Sequence, residues 1–163
     1  CGQERQTGSG YDAARSHGDG HASGGVDPHD VPITEDQKQQ LREETAEFAD
    51  AVAKVKELRD AVERETQNGL PQDPFDVHQA LDKSDLVVQW LPVIARDSGV
   101  PKEHWEVVNT SANDLRTQFE QVHQNIDNKQ EPNFAAVANE IGQKLADLEQ
   151  IDAAQPSTAE TEN

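Results

Sequence analysis

WEVVNTSANDLRTQFEQVHQNI, residues 105–126, decides the fold. Within it Trp105, Val108, Ala112, Leu115, Phe119, Val122 and Ile126 recur in alternating steps of three and four. On a helix of about 3.6 residues per turn, those steps gather the apolar side chains on one face. Asn, Asp, Arg and Gln occupy the positions between, so one face seeks a core and the other seeks water.

The same pattern extends outward in both directions. Downstream, Glu131-Pro132-Asn133 breaks the helix, and Phe134, Val137, Ile141, Leu145, Leu148 and Ile151 form the next stripe. Upstream, Asp73-Pro74 opens a segment with an acidic cap and a proline in the first turn. Val77, Ala80, Leu81, Val87, Val88, Leu91, Ile94 and Ala95 give it a broad stripe, and Ser98-Gly99 ends it before Pro101. Pro92 lies inside this stripe, removes one backbone donor, and predicts a kink near Val88. Farther upstream, Thr34 and Gln37 have the spacing of a capping box. Leu41, Thr45, Phe48, Val52, Val55, Leu58 and Val62 then continue in helical register to Asn68-Gly69 and Pro71. This predicts one helix over 35–67, about 50 Å long at 1.5 Å per residue.

Four helices with short connections pack antiparallel to their neighbours. The expectation is an all-α, up-down-up-down four-helix bundle over 34–152. Residues 1–33 hold seven of the ten glycines and almost no large apolar side chains, so they read as a disordered tether. Such a linker has an r.m.s. reach of roughly 30 Å. Residues 153–163 are polar and acidic and read as a disordered tail.

Charge narrows the function. Among 163 residues, 14 are Lys or Arg and 32 are Asp or Glu, for a net charge of −18. That surplus repels phosphate backbones and argues against nucleic-acid binding. It favours solubility and attracts cations. No apolar run reaches the roughly 20 residues that span a bilayer. A single cysteine, Cys1, excludes an internal disulfide or a multi-cysteine metal site.

Cys1-Gly2 followed by a polar, Gly-rich leader resembles a processed bacterial lipoprotein. The resemblance implies that the Cys1 thiol carries diacylglycerol, that a signal peptide has been removed, and that the domain sits at the cell envelope. The helices, with the SGVPKEHW joint at 98–105, resemble the bundle of the cytochrome c′-like superfamily. That family holds haem through a Cys-x-x-Cys-His run, which this chain lacks, so the resemblance implies a haem-less relative.

The histidines and acids hold the remaining candidate chemistry. His78, His104 and His123 could ligate haem, but there is no Met to pair with them. His78 follows the core position Val77 and His123 follows Val122, which turns each about 100° from its stripe and toward solvent. His104 precedes Trp105 at a helix start. A ferritin-like di-iron site needs two Glu-x-x-His motifs with further Glu residues; Glu120–His123 supplies one. In the leader, His17, His21 and His29 lie among Asp19, Asp27 and Asp30, donors that suit Zn²⁺, Cu²⁺ or Ni²⁺. None of His17, His21, His29, Glu120 or His123 is assigned as a metal ligand. No Gly-rich phosphate loop, GxSxG or HExxH run is present.

The sequence therefore reads as a non-enzymatic, lipid-anchored envelope protein without cofactor. Its helical module would bind a protein or small-molecule partner. The alternative is a metal or haem carrier of the bundle type.

Overall fold

The computed structural model describes residues 31–154, and their side chains as far as Ile151. All regular structure among them is helical. The elements are α1 (Glu35–Glu44), α2 (Phe48–Thr66), α3 (Phe75–Asp97), a short 3-10 turn (Lys102–His104), α4 (Trp105–Asp127) and α5 (Phe134–Ala154). No helix among the described residues is long and apolar enough to cross a membrane.

The long first helix expected over 35–67 is in fact two. Thr34 caps α1 as its spacing predicts: its hydroxyl accepts from Gln37 N–H at 3.2 Å, and the Gln37 side chain accepts from Thr34 N–H at 2.9 Å. The helix then stops at Thr45, whose hydroxyl turns back onto the Leu41 carbonyl at 2.7 Å. Phe48 N–H, an orphan donor at the start of α2, is taken by Ser98 Oγ at 3.0 Å. Ser98 comes from the far end of α3, so the cap is tertiary. The side chain of Glu47, the residue in the cap position, makes no such bond. The apolar stripe crosses the break in register, which is why the sequence reads as continuous.

The break lets α1 fold back rather than overhang. It lies against α2 and α3. Lys54 of α2 reaches Glu44 of α1 at 3.0 Å, and the Arg42 guanidinium stands 4.6 Å from the Trp90 ring centroid. Partial burial works against the Lys54 charge, but hydrogen bonds to Glu57 and Glu44 outweigh it and raise its pKa. Hydrogen bonds from Gln40 and then Lys54 hold Glu44 below its usual value.

The other four helices surround one core. α2 packs on α3 and α5, α3 on α4, and α4 on α5. Val55, Val62, Leu81, Leu91, Leu115, Ile141, Leu145 and Leu148 are each at most 1% exposed. At roughly 1.5–3 kcal/mol for each fully buried aliphatic side chain, this interior dominates the favourable side of folding. Exposed ion pairs cross the helix seams at Arg116–Asp85 (2.8 Å), Lys144–Asp114 (2.9 Å) and Lys56–Glu149. Such pairs are each worth less than about 1 kcal/mol.

Pro92 does not end α3, which runs on to Asp97. Gly99 ends it as expected. At φ 84° this residue takes the left-handed conformation, and Val100 N–H closes back on Ala95 O at 2.9 Å. Both outer boundaries shift slightly. Ile33 is 8% exposed and the Val31 carbonyl accepts from Gln79 Nε2 at 2.8 Å, so the folded unit begins before Thr34. α5 continues two residues past 152. The rest of the expected tether and tail lies outside the described residues.

Candidate functional site

The site sits where the first turn of α3 meets the last turns of α4. α3 begins with Asp73 Oδ1 accepting Phe75 N–H at 3.0 Å. Val77 and Leu81 in its opening turns are both buried, at 1% each. His78 stands between these two anchors and is drawn in with them, to 5% exposure. This corrects the surface position that its step from Val77 implies. The inward face of α3 is wide: Val77 with His78, Ala80 with Leu81, and Val87 with Val88 are buried as neighbouring pairs. A helix flanked by α2 on one side and α4 on the other buries a broader arc than a single stripe.

His123 and Asp127 are four residues apart on α4 and so share a face. The His123 side chain is 22% exposed and the Asp127 side chain 54%. His78 Nε2 lies 3.4 Å from Asp127 Oδ1, and His123 Nε2 lies 3.7 Å from the same oxygen. The two imidazoles meet edge to face, with centroids 4.9 Å apart and planes at 86°. One ligand-type atom from each of the three residues lies within 4.8 Å of the other two. His78 Nδ1 is, among the described residues, the one buried side-chain nitrogen or oxygen without a hydrogen-bond partner.

The remaining candidates do not join this cluster. Glu120 is exposed and accepts from Gln124 at 2.9 Å, so the Glu120–His123 motif is not assembled on one face of a core site. His104 Nε2 is 3.5 Å from Glu103 at the opposite end of α4, with its side chain 29% exposed. Cys1, His17, His21 and His29 lie outside the described residues. His78 and Asp127 went unpaired in the sequence because 49 positions separate them and only the α3–α4 packing joins them. The adjacent-pair pattern 77–78, 80–81, 87–88 is the local signal that could have turned His78 inward.

Open grooves lie elsewhere on the surface. One of about 390 Å³ is lined by Arg42, Thr45, Trp90, Val93, Ile94 and Asp97. Another of about 270 Å³ runs beside Pro92, between α3 and α4, and includes Asn109, Asn113 and Arg116. It lies on the solvent side of Val88 and Ala112, which remain buried.

In comparisons with known proteins, the chain matches no family model, no curated protein and no solved structure.

Proposed function

We propose that this chain is a non-enzymatic envelope protein. Its body is an antiparallel up-down-up-down four-helix bundle formed by α2 to α5, with α1 folded against it. Its anchor is the lipid that the resemblance to processed lipoproteins implies at Cys1. The module offers a solvated acidic surface to a protein or small-molecule partner outside the membrane.

The observation that carries this reading is the closed interior. Aliphatic side chains from all four long helices fill it to within a few per cent of full burial. Packed interiors of this kind leave little room for a porphyrin or an organic substrate. The open grooves lie at the surface, outside this packing. The alternating directions find support at both ends: Phe48 at the start of α2 meets Ser98 at the end of α3, and His78 at the start of α3 meets Asp127 at the end of α4.

Intact-mass spectrometry of protein from its own host tests the anchor. Diacylglycerol on the Cys1 peptide is the expected result, and an unmodified Cys1 would defeat it. Hemin titration tests the interior. No saturable Soret band is expected; one at a single haem per chain would move the protein to the carrier class.

A further inference from the structure

Three features of the α3–α4 end call for a cation. The first is the donor set. Two imidazoles and a carboxylate converge from two helices, and imidazole with carboxylate suits divalent ions of the Co²⁺ to Zn²⁺ series. The separations of 3.4 Å and 3.7 Å between the histidine nitrogens and Asp127 Oδ1 are near the spacing such an ion imposes. Ligands at about 2.0–2.1 Å in a tetrahedron stand roughly 3.3 Å apart. Small side-chain rotations of His123, 22% exposed, and of the half-exposed Asp127 would complete the fit.

The second is the backbone field. Asp127 closes the last turn of α4, where the helix dipole is negative, and that turn contains no basic residue. A carboxylate there is disfavoured unless positive charge lies against it. A single divalent ion serves the carboxylate, the dipole and both imidazoles together.

The third is His78 itself. It is buried, yet its Nδ1 has no partner. An aliphatic side chain would avoid the cost of that unmade bond, so what sets histidine apart at this position is its Nε2, the atom that faces Asp127.

We propose that His78, His123 and Asp127 form a three-ligand site for a divalent transition-metal ion of the zinc class, with the fourth position open to solvent beside Asp127. This goes beyond the tethered bundle, which stands whether or not the site is filled. Coordination through Nε2 leaves the His78 proton on Nδ1, where no acceptor waits. Missing outer partners of this kind weaken metal sites about 10- to 100-fold. The site is therefore weaker than one with a complete outer shell, which suits reversible loading.

The test is calorimetric titration of the chelator-treated full chain with Zn²⁺. Three variants accompany it: His123→Ala, Asp127→Asn, and a leader variant with His17, His21 and His29 all changed to Ala. One saturable site per chain is expected. It should persist in the leader variant and weaken at least tenfold in His123→Ala and in Asp127→Asn. Co²⁺ should give the intense visible bands of a four-coordinate ion, and Zn²⁺ should shift the ring NMR signals of His78 and His123 together. Asp127 is half exposed, so Asp127→Asn keeps the fold even if a histidine variant does not. Absence of saturable binding would overturn the proposal. So would a site that disappears in the leader variant and survives Asp127→Asn.

Discussion

The two ends of the helical body solve the same problem differently. At the Ser98 end, the buried or half-buried polar groups have partners. Thr45 bonds the Leu41 carbonyl, Ser98 bonds Ile94 O and caps Phe48, and Trp105 Nε1 donates to Val100 O at 2.8 Å. The left-handed position after α3 is Gly99, which adopts it without strain. At the His78 end, a buried nitrogen lacks a partner and a carboxylate sits at the wrong pole of a helix. The left-handed positions at this end are Gly69 (φ 92°), beside Glu131, and, in the α4–α5 connection itself, Lys129 (φ 57°) and Asn133 (φ 55°), which are not glycine. One end is built for stability. The other keeps several small costs in one place, which is where ligand sites tend to lie.

The contrast can be tested at five positions. Phe48 anchors the first end at 1% exposure, and Phe48→Ala should cost roughly 3–5 kcal/mol in denaturant unfolding. A cost below about 1 kcal/mol would mean that this end is not the rigid one. Ser98→Ala removes the tertiary cap and should cost about 1 kcal/mol, with faster amide exchange at Phe48. No change in either measurement would dissociate the helix break from Ser98.

Lys129→Gly should move stability the other way. Left-handed φ costs a non-glycine residue about 1–2 kcal/mol, and the added chain freedom of glycine returns part of that. A net gain of about 0.5–1 kcal/mol is expected, read as a higher denaturation midpoint. Gly99→Ala, its counterpart at the other end, should destabilise.

The smallest effect belongs to the Lys54–Glu44 link across the break. The Lys54 pKa is raised, so the stability from its charge is present below the ordinary lysine value and is lost as pH rises through the raised one. The Glu44 pKa is lowered, so its share is present above the ordinary carboxylate value and is lost as pH falls through the lowered one. The difference in melting temperature between the native protein and Lys54→Met should therefore be greatest near neutral pH and close at both extremes. A difference that does not vary with pH would assign it to packing of the lysine stem.

Much of the helical body was legible because its determinants are local. Apolar steps of three and four, together with Asp73-Pro74, Gly99 and Pro132, place α3, α4 and α5 to within a few residues, and Thr34 and Gly69 place the outer ends of α1 and α2. The break at Thr45–Glu47 was not legible, because its cap arrives from Ser98, 50 positions away. The His78 site was not legible for the same reason. A helical wheel assigns His78 a direction, but the burial of that direction depends on α4, and Asp127 reads as one more acid in an acidic chain.

Chemical denaturation of the native protein and His78→Leu, each with chelator and with saturating Zn²⁺, tests most directly whether the costs at this end serve a ligand. Leucine matches the imidazole in bulk and needs no hydrogen bond. With chelator, His78→Leu should be as stable as the native protein or up to about 1–2 kcal/mol more so. Zn²⁺ should raise the midpoint of the native protein and leave that of His78→Leu where it is. A variant destabilised by more than about 2 kcal/mol, with a native protein indifferent to Zn²⁺, would show that His78 serves packing alone and would contradict this account.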